Sequence, residues 1–207
     1  MALATQTLPT PALDEETARA ELYGLLALLY YAPPSRDLLA NLRVAVTQAP
    51  SAGGLLEAPW SALIGAARAM GDQAVHDEYQ RLFGGIGKPE VYLYGSHYLS
   101  GFLNEKPLVR LRSDLSRLGL VRDESMSDTE DHVAYLCEVM RYLIAGEGGA
   151  LANLSGQREF FTAHVQPWVP MMCDAIVQHP TGRFYAALAD LTRAFMAVET
   201  QAFDLLS

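Results

Sequence analysis

The amino-acid sequence predicts an all-α fold, and two observations support this prediction. First, apolar residues recur at steps of three and four along most of the chain, the spacing that gives a helix one apolar face. Second, a strand-like pattern is found only at 91–94, which is too short to support a sheet. We therefore expect a single-domain bundle of about nine to eleven helices over residues 1–207. Two lobes, 14–120 and 127–207, joined by a polar linker, are compatible with this organisation.

Capping residues and proline mark the bounds of the first four helices. Asp14 is the predicted N-cap of the first helix, which ends before Pro33-Pro34. Ser35 is the predicted cap of the second. The third covers 60–70, and the fourth follows Asp72 as its cap and ends near Phe83.

Glycine and proline interrupt the helical pattern over 84–94, where we predict a loop. Helices are expected to resume at 96–103 and 107–118. Gly119 then occupies the position after the second of these helices, where a left-handed residue is common.

A capping box, Ser127-Asp128-Thr129-Glu130, predicts the start of the next helix. It would place Asp131 and His132 in the first or second turn, where a carboxylate also suits the helix dipole.

The C-terminal third predicts three more helices. A glycine-rich joint at 146–149 precedes a helix over 156–165, and Pro167 is predicted to open the following one. His179-Pro180 ends that helix. The last helix carries a long apolar stripe over 184–198.

The charge and the cysteine content restrict the location and the partners. The formal net charge of −9 disfavours nucleic-acid binding and favours a cationic partner peptide. Cys137 and Cys173 lie in apolar helical patterns without CxxC spacing, as expected for buried reduced thiols. No signal peptide and no apolar run long enough for a membrane span are apparent, so we expect a cytoplasmic protein without stable membrane insertion.

The Asp131-His132 pair has three chemical interpretations: metal ligands, a proton-handling pair or a docking site. A helical phosphohydrolase of the HD type would need one further histidine upstream, His97 or His76, and one further aspartate downstream, Asp174 or Asp190. A fourth interpretation is structural, in which His132 makes only a local hydrogen bond at a helix start.

The chain otherwise lacks catalytic equipment. It has no HExxH and no GxSxG motif, and its glycine-rich segment at 84–88 follows a helix and lacks the P-loop spacing. Cys137 lies among apolar neighbours, which do not activate a thiol. We therefore predict no catalytic residues, no metal site and no cofactor.

Aromatic residues crowd the region around the glycine-rich loop. Tyr79, Leu82 and Phe83 fall at i, i+3 and i+4, for which core packing is the default interpretation. The functional alternative is an apolar groove rimmed by tyrosine hydroxyls and acids, suited to a peptide with a basic end and an apolar stretch.

Taken together, five segments resemble the TorD/DmsD/NarJ family of cytoplasmic redox-enzyme maturation chaperones. In chain order they are Tyr79-Gln80-Arg81-Leu82-Phe83-Gly84-Gly85, Leu93-Tyr94-Gly95-Ser96-His97-Tyr98-Leu99, Glu130-Asp131-His132-Val133 with Glu138 and Met140 behind it, Phe160-Phe161-Thr162-Ala163-His164-Val165-Gln166-Pro167-Trp168, and Phe184-Tyr185-Ala186-Ala187-Leu188-Ala189. The resemblance spans about residues 15–200.

The resemblance implies a TorD-like, non-enzymatic chaperone. Its partner would be the apo form of a molybdenum-cofactor oxidoreductase subunit, its basic–apolar twin-arginine signal peptide, or both. It would assist cofactor insertion and delay export until maturation. The residues expected to bind the client are Tyr79, Leu82, Phe83, Tyr94, Gly95, Ser96, Asp131, His132 and Glu138. The chain departs from the family pattern at Leu93 and Thr129, where proline is common.

Within this interpretation, Asp131 would accept a hydrogen bond from a guanidinium, and His132 would order that carboxylate or titrate near neutrality. The joint at 146–149 and the linker at 121–126 would permit a monomer or a domain-swapped dimer. The alternative function is that of a metal-dependent HD-type phosphohydrolase.

Overall fold

The computed structural model describes residues 11–47, 54–84, 88–101, 106–122, 127–145 and 154–205. These ranges contain ten helices. The helices are α1 (Pro11–Tyr31), α2 (Arg36–Val44), α3 (Glu57–Ala69), α4 (Asp72–Phe83), α5 (Gly95–Ser100), α6 (Lys106–Arg117), α7 (Val133–Ala145), α8 (Leu154–His164), α9 (Val169–Gln178) and α10 (Phe184–Asp204). The only extended pairing in the described ranges is an isolated antiparallel bridge between Tyr94 and His132. The prediction of an all-α bundle of this size is confirmed.

Two predicted helix boundaries are confirmed at the level of individual hydrogen bonds. The Ser35 hydroxyl accepts a hydrogen bond from the Leu38 N–H at 3.2 Å and so caps α2. Gly119 has a φ of +72°, and the Leu120 N–H donates to the Leu115 carbonyl at 2.9 Å. This left-handed ending of α6 requires a residue without a Cβ penalty.

Three predicted helix starts are wrong by a few residues. α1 begins at Pro11, so Asp14 lies inside it, and the N-cap of α4 is Gly71 rather than Asp72. α9 begins after Trp168, with Pro170 instead of Pro167 in its first turn. Both prolines lack an N–H that the helix could use, so composition alone does not distinguish them.

The core is formed where long helices from both ends of the chain pack together. α1 packs against α7, and α10 packs against α9, α3 and α4. The largest fully buried side chains include Trp168, Tyr23, Tyr30 and Tyr185. The buried phenols have internal partners, such as the Tyr30 hydroxyl, which lies 3.0 Å from Thr192 Oγ1. The suggested division into lobes stays a prediction, and the joint at 146–149 lies outside the described residues.

A buried carboxylate fixes α4 against the start of α10. Glu78 Oε1 accepts hydrogen bonds from the Arg183 and Tyr185 N–H groups, both at 2.8 Å, and Oε2 accepts one from Phe184 at 3.2 Å. A helix start leaves such N–H groups unpaired and attracts negative charge. Glu78 therefore sets the position of α4, the helix that carries Tyr79.

A second buried acid joins the two ends of the chain. Both Glu199 oxygens accept hydrogen bonds at 2.8 Å from the Arg19 guanidinium, and Glu199 Oε2 also accepts one from the Tyr23 hydroxyl at 3.0 Å. Glu199 is 1% exposed, so this charge depends on its partners for compensation.

Both cysteines are free and buried, as predicted. Burial raises the pKa of Cys173 to about 12, so the thiol is protonated at neutral pH. None of the helices in the described ranges is long and apolar enough to cross a membrane.

Candidate functional site

Two short extended segments, one before α5 and one before α7, lie antiparallel and bring the predicted site residues together. The Gly95 N–H donates to the Asp131 carbonyl and the Val133 N–H donates to the Leu93 carbonyl, both at 2.9 Å. Tyr94 faces His132 across this junction, with ring centroids 5.0 Å apart. The fold therefore joins two segments of the family resemblance that are far apart in sequence.

The predicted capping box is wrong, because α7 begins at Val133 with His132 as its cap. His132 Nδ1 accepts a hydrogen bond from the Ala134 N–H at 3.2 Å. Ser127 instead donates to Asp128 Oδ2 at 2.8 Å, and Glu130 pairs with Arg112 at 2.9 Å. The His132 N–H closes a turn on the Thr129 carbonyl at 3.0 Å, and the backbone on either side of His132 pairs with Gly95 and Leu93, so the helix begins only after His132.

Asp131 is buried and has structural partners for both of its oxygens. Oδ2 accepts a hydrogen bond from the Ser96 N–H in the first turn of α5 at 2.8 Å, and Oδ1 accepts one from the Thr129 hydroxyl at 2.6 Å. The side chain is 3% exposed. Asp131 therefore caps α5 from another part of the chain and does not present a free carboxylate to a client.

Gly95 and Ser96 form the first turn of α5, which packs against Asp131 and Trp168. A Cβ at Gly95 would lie 2.9 Å from the indole nitrogen of Trp168, which itself donates to the His164 carbonyl at 2.6 Å. Only glycine permits this close approach. Ser96 is fully buried, and its hydroxyl has no hydrogen-bond partner among the described residues.

His132 is buried, and this burial lowers its pKa to about 4 despite the opposing charges of Asp128 and Asp131. Since Nδ1 accepts from the backbone, the proton of the neutral ring resides on Nε2. The expectation that His132 titrates near neutrality is therefore wrong, because desolvation outweighs both carboxylates.

Asp128 is the half-buried acid of this region, and it was considered from sequence only as part of the capping box. Its Oδ1 accepts a hydrogen bond from the Tyr94 hydroxyl. Burial alone would raise the pKa of Asp128, but the hydrogen bonds from Tyr94 and Ser127 and the charge of Arg122 outweigh it, and the pKa is lowered. Asp128 is therefore ionised at neutral pH.

Tyrosine side chains surround Asp128. The Tyr79 hydroxyl donates to the Tyr31 carbonyl at 2.9 Å, and burial together with the charge of Asp128 raises its pKa. The Tyr31 and Tyr135 rings lie 5.8 Å apart, and Tyr31 is 47% exposed. We call these five residues the tyrosine–acid cluster; its members are Tyr31, Tyr79, Tyr94, Asp128 and Tyr135.

The remaining predicted site residues have other positions. Leu82 is fully buried, and Phe83 packs edge-on against Tyr79 and Tyr185 at 5.2 and 5.0 Å. The core interpretation thus holds for these two side chains, and the edge-on contact of Phe83 holds the ring of Tyr79 in place. Glu138 lies farther along α7, half-exposed and paired with Arg141 at 2.8 Å.

The HD-type metal interpretation has no geometric support in the described residues. No three His, Cys, Asp or Glu side chains in these ranges converge to hold a metal ion. Asp174 and Asp190 instead both accept hydrogen bonds from Arg193, at 2.8 and 2.5 Å.

Two clefts adjoin α6. The smaller, of about 370 Å³, opens at the junction and is bordered by three predicted site residues, Gly95, Ser96 and Asp131, beside Trp168. The larger, about 820 Å³, lies between α6 and α8 beside Asp114 and His164 and does not reach the tyrosine–acid cluster. Burial lowers the pKa of His164 despite its hydrogen bond to Asp114.

The fold is that of a class of redox-enzyme accessory proteins. A crystal structure titled as a putative redox enzyme maturation protein from Archaeoglobus fulgidus superposes with a TM-score of 0.55 at 17% identity, covering 95% of this chain and 99% of the other. The family profile of the nitrate reductase delta subunit matches residues 50–174. The chain therefore belongs to this family, and the predicted resemblance is confirmed.

Sequence comparison with curated proteins agrees. The chain is 28% identical over 120 residues to the chaperone protein TorD of Vibrio cholerae serotype O1 and 26% identical over 127 residues to that of Aliivibrio fischeri. These matches cover 55% and 58% of this chain and 54% and 59% of the relatives, so the chain spans little more than half the length of the curated relatives it matches. Both relatives are named as chaperones.

Proposed function

We propose that this protein is a cytoplasmic chaperone for the maturation of a molybdenum-cofactor oxidoreductase. It binds the apo catalytic subunit through a basic–apolar, twin-arginine signal peptide, and so delays export until the cofactor has been inserted. The family membership and the chaperone names of its relatives support the class. The tyrosine–acid cluster supports the peptide chemistry.

The observation that carries the proposal is the environment of Asp128. Its carboxylate is ionised and half-buried, and the Tyr94 hydroxyl orients it. A guanidinium can donate two hydrogen bonds to such a carboxylate and stack on neighbouring aromatic faces. Tyr31 and Tyr135 supply those faces.

We propose that Asp128, rather than the predicted Asp131, contacts the arginine. Both Asp131 oxygens already accept internal hydrogen bonds, and the side chain is 3% exposed. Asp131 and His132 then act indirectly, by holding the segment that carries Asp128 and Tyr94. The net charge of −9 speeds the encounter with a basic peptide.

Affinity for a synthetic peptide with two arginines followed by an apolar stretch tests the proposal. An Asp128→Asn substitution is expected to weaken binding by about tenfold, because a charge-assisted hydrogen bond is lost at a half-exposed site. The loss should shrink as salt is raised. Isothermal titration calorimetry measures both effects.

Asp174→Asn is the matched control, since Asp174 is an exposed acid on α9 that pairs with Arg193. Equal affinities of the Asp128→Asn and Asp174→Asn variants would contradict the assignment of Asp128. No measurable binding of the peptide to the unaltered protein would contradict the signal-peptide function itself.

Purification from the native host tests the client. A molybdenum-enzyme catalytic subunit should co-elute with the unaltered protein and be depleted with Asp128→Asn. Mass spectrometry of the eluate identifies that subunit, and its absence from the unaltered protein would overturn the proposal.

A further inference from the structure

An apolar surface continues from the tyrosine–acid cluster along the contact between α1 and α7. Leu28 is 59% exposed and Tyr31 47% exposed, one helical turn apart on the same face of α1. Tyr31 contacts the half-buried ring of Tyr135 on α7, so the exposed apolar surface of α1 continues to the edge of α7.

Two contacts fix the relative direction of these helices. Tyr31 lies against Tyr135, whereas Gly24 lies against Arg141, whose Cδ would be 3.0 Å from a Cβ at Gly24. α1 and α7 are therefore antiparallel here. Leu28, between Gly24 and Tyr31, consequently lies beside the part of α7 that holds Glu138.

The charges along this contact are uneven. Asp128 lies at the cluster end, where the charge of Arg122 acts on it without forming a salt bridge in the described residues. At the far end, the charges of Glu138 and Arg141 offset each other at 2.8 Å. A negative end followed by an apolar, charge-balanced stretch matches a peptide that is basic first and apolar afterwards.

We propose that the α1–α7 surface, comprising Leu28, Tyr31, Tyr135 and Glu138, binds the apolar part of the same peptide whose basic part binds Asp128. This inference rests on the proposed function and adds the direction of the bound peptide and Leu28 as a specificity-determining residue. From Tyr31 to Gly24 the helix axis advances about 10 Å. That length accommodates about three extended residues or two helical turns of the peptide.

The test compares two peptides on two variants by fluorescence polarisation. One peptide carries the two arginines and the apolar stretch; the other ends before the apolar stretch. Leu28→Ser is expected to weaken binding of the long peptide about fivefold and to leave the affinity for the short one unchanged. Asp128→Asn is expected to weaken both.

The matched control is Val109→Ser, which changes an equally exposed apolar side chain on α6. Because Leu28 is exposed, Leu28→Ser should fold normally, and circular dichroism checks this. Equal affinity of Leu28→Ser and Val109→Ser for the long peptide would overturn the inference while leaving the function of Asp128 intact.

Two further outcomes are decisive. If Leu28→Ser turns a dimer into a monomer in sedimentation without changing peptide affinity, the surface is a self-association interface and the inference is wrong. If neither peptide binds the unaltered protein, the proposed function fails and the inference fails with it.

Discussion

Asp128 and Asp131 are only three positions apart, and the fold gives them opposite roles. Asp131 is buried, and its two oxygens accept hydrogen bonds from the Ser96 N–H and the Thr129 hydroxyl. Asp128 is half-buried, accepts a hydrogen bond from the Tyr94 hydroxyl and lies in a cluster of mostly half-buried tyrosine rings. The first stabilises the junction between α5 and α7, and the second presents a charge on its surface.

The comparison shows that an acid suggested by a sequence motif need not be the acid that meets the ligand. A carboxylate at 3% exposure cannot exchange its partners for a guanidinium without leaving a backbone N–H unpaired. The Asp128 carboxylate accepts hydrogen bonds from the hydroxyls of Tyr94 and Ser127, so a guanidinium can bind it without leaving a backbone N–H unpaired. The motif therefore identifies the region of the candidate site, while burial and hydrogen bonding identify which of its carboxylates can contact a ligand.

The largest expected effect concerns His132, on which the charges of both acids act. Its folded pKa of about 4 is below the ordinary value of 6.5, so protons bind the unfolded chain more tightly. Stability should be at its full value above about pH 6.5 and should fall by about 3 kcal/mol as the pH approaches 4. Urea denaturation across this pH range measures the loss.

His132→Asn is the control for this pH effect. Asparagine can still cap α7 by accepting from Ala134, but it does not titrate. Subtracting its pH profile removes the contributions of His97 and His164, whose pKa values burial also lowers. Identical profiles for the two proteins would show that His132 is not buried as a neutral ring.

The next effect distinguishes the two acids by how much each alanine substitution lowers the free energy of unfolding. Asp131→Ala leaves the Ser96 N–H and the Thr129 hydroxyl without their acceptor, and we expect a loss of about 1–3 kcal/mol. Asp128→Ala should cost less than about 1 kcal/mol, because its environment is partly solvated. Equal losses in the free energy of unfolding would remove the distinction between the two residues.

The smallest effect concerns the charge near Asp128 and Glu130 that Arg122 supplies. Arg122→Gln should strengthen the binding of a cationic peptide by about twofold, because an exposed charge contributes only about 0.5 kcal/mol. The gain should vanish at high salt. Weaker binding by this variant would mean that Arg122 itself contacts the peptide.

Helix boundaries set by local chemistry could be predicted from sequence, and those set by distant contacts could not. Ser35 and Gly119 are local signals, and both predictions are confirmed. The capping box at 127–130 is an equally good local signal. It fails because the segment ending at His132 pairs with Leu93–Gly95, which lies more than thirty residues earlier.

The residues of the candidate site also divide into those that the sequence identified and those that only distant contacts reveal. The family resemblance brought Tyr79, Tyr94 and the acid–histidine pair to attention, and the fold places them together. Tyr31 and Tyr135 were missed because they meet only through the packing of α1 on α7, which no sequence spacing reveals. Matching the apolar faces of these two helices on helical wheels would have been the only way to predict this contact from sequence.

The ion pair between Arg19 and Glu199 has a consequence for synthesis. It closes a loop of 180 residues, and α10 leaves the ribosome after every other helix named above. Until α10 is complete, Arg19 has Glu16 but lacks its buried partner Glu199, and the apolar faces that α10 covers on α3, α4 and α9 stay open. Native contacts of such long range form late and slowly. The nascent chain therefore exposes these apolar faces until α10 has folded onto them.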